Sequence, residues 1–367
     1  MKFSVPREDL LKLLHAVVGV VERRSTMPIL SNVLLKVGDG KLSVTATDLE
    51  VELVAGAAVD VEASGETTVP GRKLHDICRL LPNGTLVTAT LEDNRMVVKG
   101  GRGRYTLATL SAEDFPTVDE MATQQTLRIP PKALHDLLNR TQFSMAQQDV
   151  RYYLNGLLLE TGADGLQGLR GVATDGHRLA LSDISLAEPA AAQRVIVPRK
   201  GILELNRLLG QEGEVLMMIG TSHLRVEFDG LRMTSTLIDG QFPDYGRVIP
   251  LDPPNTVVAN REHFHHALQR AAVLANDKLR GVRLELGENS AVINANNPEQ
   301  EEAVETVEVE YGGDVLEIGF NVNYLLEALA HIDGDNVQIG LRDGDSSCLI
   351  TAQDNSTTQY VVMPMRL

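Results

Sequence analysis

The sequence predicts an α+β protein made of three tandem copies of one domain, each copy holding two helices and antiparallel sheet. Two observations predict it. The first is repetition at a fixed spacing. Thr47-Asp48 returns as Thr174-Asp175, Arg72-Lys73 as Arg199-Lys200, Thr109-Leu110 as Thr236-Leu237 and Phe115-Pro116 as Phe242-Pro243, every pair 127 residues apart. A fainter third copy has ANNPEQEEA (295–303) and FNVNYLLEALAHI (320–332) at the corresponding places, and the strand LSNVLL (30–35) recurs as LNGLLL (154–159) and LRGVRL (279–284). The second is a repeated order of patterns: strand, helix, several strands, helix, several strands. Three units of roughly 120 residues fill the chain, each large enough for its own core. Boundaries are expected at 1–122, 123–250 and 251–367.

The first helix of each copy is read in REDLLKLLHAVVGVV, PKALHDLLNRTQF and REHFHHALQRAAVLA. Apolar residues recur there at helical spacing: Leu10, Leu13, Leu14 and Val17; Leu134, Leu137 and Leu138; Phe264, Ala267, Leu268 and Ala271. The second helices carry Leu74, Ile77, Cys78 and Leu81, then Ile202, Leu205, Leu208 and Leu209, then Leu325, Leu326, Leu329 and Ile332. Pro6, Pro70, Pro130 and Pro198 stand at or just before helix starts, where a missing N–H costs nothing. Between the helices, segments such as KLSVTATDLEVEL, RMVVKGGRGRYTLATL and HLRVEFDGLRMTSTL alternate with period two and break at Gly, Asp or Asn turns. Gly100-Gly101-Arg102-Gly103 precedes a strand rather than a helix, so it reads as a turn and not as a phosphate loop.

The hydrophobic fraction of 43% suits a globular chain, and no apolar run is long enough to span a bilayer. The opening MKFSVPREDLLK lacks the apolar core of an export signal, so a cytoplasmic location is expected. The two cysteines, Cys78 and Cys348, fall in different copies and read as buried reduced thiols. The net charge of −16 argues against tight nonspecific binding to nucleic acid. The helices, however, carry Arg7, Lys12, Arg72, Lys73, Arg79, Lys132, Arg140, Arg199, Lys200, Arg207, Arg261 and Arg270, while strands and loops hold most of the acid. Cations gathered on helices could attract a polyanion to one surface; they could equally be ordinary decoration of solvated faces.

Several segments together resemble one family. FSMAQQDVRYYLNG (143–156), ATDGHRLA (173–180), VPRKG (197–201), FPDY (242–245), ANNPEQEEA (295–303), GFNVNYL (319–325) and YVVMPMRL (360–367) are similar to the β subunit of bacterial DNA polymerase III, the sliding clamp, of proteobacterial type. The resemblance runs the whole chain. It implies the DNA clamp fold and a head-to-tail dimeric ring that encircles duplex DNA and confers processivity without catalysis. It implies no cofactor and no metal. The implied partners are double-stranded DNA, a second copy, the polymerase catalytic subunit, the clamp loader, and translesion, mismatch-repair and replication-control proteins.

The resemblance also implies sites. A peptide-binding pocket is expected from Leu154, Thr174, Gly176, His177, Arg178, Leu179, Pro243, Arg247, Val248, Asn321, Tyr324, Ser347, Val361, Met363, Pro364, Met365 and Arg366. Apolar side chains and adaptable methionines suit peptide anchors. DNA contacts are expected at Arg24, Arg72, Gln148, Tyr152, Tyr153, Arg199 and Lys200, with Tyr152-Tyr153 equally readable as strand core and edge. The dimer contact is expected between Arg102, Arg104 and Tyr105 on one side and Val273, Leu274, Glu299, Glu301 and Glu302 on the other.

Three other readings compete. A catalytic reading of Asp175, His177 and Arg178 lacks a nucleophile, and the equivalent Thr47-Asp48-Leu49-Glu50 has no histidine. A metal reading of His263 and His266 lacks a supporting carboxylate pattern. A repeat scaffold that binds peptides of replication proteins without encircling DNA remains open.

Overall fold

The computed structural model describes residues 1–23, 26–118, 121–162 and 165–366. It divides into two compact units, residues 1–132 with 203–237, and residues 133–202 with 238–367. Among the described residues six α-helices alternate with strands: α1 (Arg7–Val17), α2 (Gly71–Leu80), α3 (Pro131–Thr141), α4 (Arg199–Leu208), α5 (Arg261–Ala272) and α6 (Val322–His331). Each begins where helical spacing starts, and α1 and α3 end in a short 3-10 turn where the sequence pattern ran on as helix. Leu10, Leu13, Leu14 and Val17 of α1, and Phe264, Ala267, Leu268 and Ala271 of α5, are all buried. Pro6 and Pro70 occupy the N-cap position without a side-chain cap, whereas Asn260 and Asn321 cap α5 and α6 by accepting from the backbone N–H of His263 and Asn323.

The first unit holds two sheets. One runs in the order Asp60–Ala63, Lys2–Pro6, Leu86–Glu92, Arg95–Gly100, Gly103–Ala108. The other has eight strands: Thr123–Ile129, Val215–Gly220, His223–Phe228, Leu231–Thr236, Val51–Ala58, Lys41–Thr47, Asn32–Gly38, Gly65–Pro70. The second unit holds one sheet of twelve strands. Its order is Gln193–Pro198, Gly156–Thr161, Gly168–Thr174, Arg178–Ser185, Asn355–Val362, Cys348–Ala352, Asn336–Leu341, Asn255–Asn260, Glu302–Glu310, Ser290–Asn296, Gly281–Gly287, Leu316–Asn321. Every strand pairing among the described residues is antiparallel. Strands from successive copies therefore share a sheet: Leu231–Thr236 pairs with Val51–Ala58 in the first unit, and Asn355–Val362 with Arg178–Ser185 in the second.

The helix cations are mostly engaged. Arg7 donates to the carbonyls of Cys78 (2.9 Å) and Arg79 (3.0 Å) and to Asn83 Oδ1 (2.9 Å), closing the C-terminal end of α2. Arg261 repeats this on α6, reaching Gly334 O (2.9 Å) and Leu329 O (3.3 Å). A guanidinium there satisfies end carbonyls and meets the negative end of the helix dipole. Arg140 pairs with Asp333, Arg207 with Glu204 and Ala16 O, and Arg270 with Glu305. Of the two readings the sequence left open for the helix cations, a polyanion-attracting face or plain surface decoration, the structure adds a third use: these arginines spend charge-assisted hydrogen bonds on their own chain.

Cys78 and Cys348 are free and buried, and burial pushes both thiols up to about 12. No described helix is long and apolar enough to cross a membrane.

Replacing Arg7 with Met leaves three acceptors at the end of α2 without their donor. The expected loss is about 1–2 kcal/mol, read as an earlier urea midpoint for the transition that melts α1 and α2. Arg261→Met should do the same to α5 and α6. An unchanged midpoint in both would contradict the capping role.

Candidate functional site

The residues of the expected pocket begin at a tight turn. Gly168–Thr174 passes to Arg178–Ser185 through Asp175, Gly176 and His177. Asp175 Oδ1 accepts from the backbone N–H of His177 (2.9 Å) and Arg178 (3.1 Å). Thr174 Oγ1 accepts from Gly176 N (3.1 Å) and donates to Arg178 O (2.6 Å). Gly176 sits at φ +89, which favours glycine, and an added Cβ would meet the Arg151 guanidinium at 2.8 Å. The first copy builds the same turn: Asp48 Oδ1 accepts from Glu50 N (3.0 Å) and Val51 N (2.7 Å), and Thr47 Oγ1 from Leu49 N (3.1 Å). The repeated Thr-Asp is therefore a turn device. One oxygen of its carboxylate is committed to backbone donors that shape the turn.

Arg178 ties this turn to its neighbours. Its Nε donates to Asp175 Oδ2 (3.1 Å), Nη1 to Glu327, and Nη2 to Phe143 O (2.6 Å). Its guanidinium lies 4.7 Å from the Tyr324 ring centre and 5.3 Å from that of Phe143. Phe143 stacks in turn on His331 at 4.5 Å. Glu327, Phe143 and Asp175 were not among the expected pocket residues. Glu327 had a signal: it is the one carboxylate in the largely apolar VNYLLEALAH of α6.

The structure brings together most of the expected pocket. Leu154, Leu179 and Val361 are buried in one cluster with Phe242, Leu158 and Ala146, against which Val248, Tyr153 and Tyr245 pack half-buried. Leu179 lies directly across from Val361 in the sheet. Ser347 Oγ donates to Val248 O (3.4 Å). The C-terminal segment closes one side: Met363 N donates to His177 O and Met365 N to Gly319 O, both at 2.9 Å. Met363, Pro364 and Met365 are half-buried, and His177, Pro243, Arg247 and Arg366 are exposed. Arg247 pairs with Asp244 at 2.9 Å. Asn321 serves as the N-cap of α6. Burial raises the Tyr324 hydroxyl above the usual phenol range, so it stays a neutral donor. Buried apolar side chains thus stand beside a half-buried methionine-proline segment and exposed polar residues.

The residues expected to meet DNA are differently disposed. Arg24 lies outside the described residues. Arg72 donates to Val21 O (2.8 Å) and Arg199 to Met145 O (3.2 Å), and burial lowers the pKa of Arg199. Lys200 is half-buried. Tyr152 and Tyr153 form a 3-10 turn, Tyr152–Leu154, which corrects the strand alternative; Tyr152 is 56% exposed, and the two rings meet edge-on at 5.7 Å. Gln148 is exposed in the preceding loop at φ +56. That loop is fixed by Asp149, which accepts from Arg151 N (2.8 Å), Nε (3.1 Å) and Nη2 (2.9 Å). These bonds hold the Asp149 carboxyl down at about 2.

The residues expected at a dimer contact lie on an edge strand, past a helix end and in a loop that leads into a strand. Arg104 and Tyr105 belong to the edge strand Gly103–Ala108, with Arg102 exposed in the turn before it. Val273, the C-cap residue of α5, is 77% exposed, Leu274 is half-buried, and Glu299, Glu301 and Glu302 are exposed.

Comparison with known proteins decides the family. Three models match in order: DNA polymerase III beta subunit N-terminal domain over residues 1–119, central domain over 128–244, and C-terminal domain over 246–366. The chain belongs to the DNA polymerase III beta subunit family. It is 52% identical to the beta sliding clamp of Pseudomonas aeruginosa and 48% identical to that of Escherichia coli K12, covering all of both chains in each case. A crystal structure of the DNA polymerase III subunit beta from Pseudomonas aeruginosa superposes with a TM-score of 0.96 over the full length of both chains. Another, of a sliding clamp from that organism bound to griselimycin, does so equally at 52% identity. Family membership makes this chain a processivity subunit of the polymerase holoenzyme rather than an enzyme, with the three-domain clamp fold.

Asp149 should titrate with a midpoint near 2 in a carboxyl NMR experiment. A depressed carboxylate stabilises the folded loop above the ordinary value of 3.8 and loses that contribution as pH falls toward about 2. The loop should therefore keep its order at pH 4 and loosen only below it. A midpoint near 3.8 would contradict the Asp149–Arg151 clasp.

Proposed function

We propose that this protein is a DNA sliding clamp in which two copies close head to tail around duplex DNA and tether the replicative polymerase to it. The observation that carries this reading is the repeated join between copies. Val51–Ala58 receives Leu231–Thr236 with Leu53 opposite Met233, and Arg178–Ser185 receives Asn355–Val362 with Ala180 opposite Tyr360. Gly103–Ala108 ends its sheet, and Glu302–Glu310 is paired on the corresponding side with Asn255–Asn260 only at Val309 and Glu310, so neither has a partner strand from another copy among the described residues. Their register follows from the hairpins. Val98↔Tyr105, Val226↔Met233 and Ile350↔Tyr360 are equivalent pairs, as are Ala173↔Ala180 and Ala295↔Ala303. A second copy would therefore add with the partner's Tyr105 opposite Ala303 and its Thr106 opposite Glu302. In the join within the chain, Tyr360 packs at 5.6 Å from Phe143, just past α3. Val273 and Leu274 stand just past α5 and offer Tyr105 the same kind of seat. Arg102 and Arg104 on one edge, with Glu299, Glu301 and Glu302 on the other, add complementary charge. A head-to-tail contact that repeats once closes a ring of two protomers and six domains.

Encirclement supplies retention, so affinity for phosphate can stay low. A net charge of −16 and arginines already hydrogen-bonded to their own carbonyls keep it low. Gln148, Tyr152, Lys200 and Arg72 are the DNA-facing candidates, which would make sequence-independent contacts that break easily as the ring slides. The groove between Leu179, Val361, Pro243 and Met363 would receive short apolar motifs from polymerase, clamp loader, translesion, mismatch-repair and replication-control proteins in turn. A cytoplasmic location goes with this role.

A retention experiment tests the reading. The protein is loaded on nicked circular DNA by a clamp loader with ATP, freed of both by gel filtration in high salt, and half the sample is then linearised. Topological linkage requires that the protein remain on circles and leave linear DNA. Equal retention on both would mean ordinary adhesion and would sink the clamp reading.

A further inference from the structure

In each copy a strand carries, at one equivalent position, a residue that faces the segment leaving the copy. These positions are Leu34, Leu158 and Arg283, paired across the sheet with Thr68, Ile196 and Gly319. The outgoing segment is seated on the same edge each time, through Thr68 N to Leu110 O (3.3 Å), Ile238 N to Ile196 O (2.9 Å) and Met365 N to Gly319 O (2.9 Å). In the first two copies that segment then turns a phenylalanine back over the leucine: Phe115 is buried with Leu34, and Phe242 with Leu158. In the third copy no described residue covers the equivalent shelf. An open cleft of about 520 Å³ lies there, bounded by Arg283, Glu317, Gly319, Gly344, Asp345 and the segment Pro364–Arg366.

The shelf differs from its counterparts in chemistry as well as cover. Arginine replaces the leucine, and glycine replaces Thr68 and Ile196 on the neighbouring edge strand, Leu316–Asn321. Arg283 Nε bonds Glu317 at 3.1 Å, with both side chains about half exposed (43% and 56%). That contact occupies one of five guanidinium donors and leaves the terminal NH2 groups for another acceptor. Arg366 adds a second cation at the rim. The same short segment walls both this shelf and the apolar groove, since Met363 bonds His177 on one side and Met365 bonds Gly319 on the other.

We propose that the shelf is a second subsite for partner peptides: a peptide held in the apolar groove continues past Met365 along the open edge of Leu316–Asn321, and a carboxylate of that extension binds Arg283. The chain's own segments 110–116 and 237–243 follow the equivalent path on the first two copies. This inference rests on the groove being the peptide site. The extension adds backbone hydrogen bonds to an edge that the C-terminal segment engages at Gly319, and a charge-assisted pair, while the apolar anchors stay in the groove. Partners with acidic residues flanking their motif would thus be ranked above those without.

Fluorescence anisotropy tests it with four labelled peptides. One is a leucine-rich apolar hexapeptide; two carry Gly-Glu-Glu-Gly at one end or the other; the fourth carries Gly-Lys-Lys-Gly at the favoured end. One glutamate extension should tighten binding about threefold to tenfold, and the lysine version should not. Arg283→Leu, which restores the residue of the other copies, should abolish that gain and leave the hexapeptide unaffected. Arg283→Gln is the second variant, should Leu perturb folding, and carries the same expectation. No gain from either extension, a gain that survives both variants, or equal binding of the lysine version would overturn the subsite. Failure of the hexapeptide itself to bind would instead remove the groove reading, and the subsite with it.

Discussion

An unpaired sheet edge is the constraint from which the rest of this molecule follows. A row of free N–H and C=O groups must be paired, covered or made unattractive. Here the edge at the end of one copy is handed to the next, so that Leu231–Thr236 completes Val51–Ala58 and Asn355–Val362 completes Arg178–Ser185. Copies joined this way are continuous in backbone hydrogen bonding and share sheets of eight and twelve strands. The same rule, applied to Gly103–Ala108 and the start of Glu302–Glu310, is the basis of the proposed register for a second copy. The turns and the pocket sit beside these joins because two copies meet there, with Thr174, Arg178 and Leu179 from one and Val361 and Met363 from the next.

Charge is arranged to be quiet. Arg7 and Arg261 close helix ends, Arg178 binds Asp175, Glu327 and a carbonyl, and Arg170 grips Asp183 through two bonds of 2.7 Å. Charge-assisted bonds of this sort order turns and helix ends without leaving a strongly cationic surface. A protein that must stay on a polyanion and still move along it gains from such restraint, because every phosphate contact must be broken at each step.

Much of this was legible in the sequence. The spacing of 127 located the Thr-Asp turns, because their hydrogen bonds need those side chains, and helical periodicity found all six helices, because their buried faces are contiguous. Partner choice was not legible. Tyr105 and Met233 occupy equivalent places opposite Val98 and Val226 yet lie 128 apart, one more than the landmarks around them. Strand register depends on which edge is offered, not on local pattern. The sign of the helix charges was readable, but not that carbonyls of a neighbouring helix consume them. Tyr152-Tyr153 was open to a strand reading as well as a DNA-contact one because aromatic residues favour sheet; the chain there forms a 3-10 turn beside the Asp149–Arg151 clasp.

The edge-to-edge closure can be measured directly. Thr106→Cys and Glu302→Cys, introduced together, put two thiols opposite each other across the inferred contact. Directly opposed side chains stand about 5 Å apart at Cβ, within reach of a short bifunctional thiol reagent. The expected result is a covalent dimer on a denaturing gel, with none from Thr106→Cys paired with Glu308→Cys, which lies about 20 Å further along the strand. A dimer from the second pair instead of the first, or from neither, would contradict closure through these two edges.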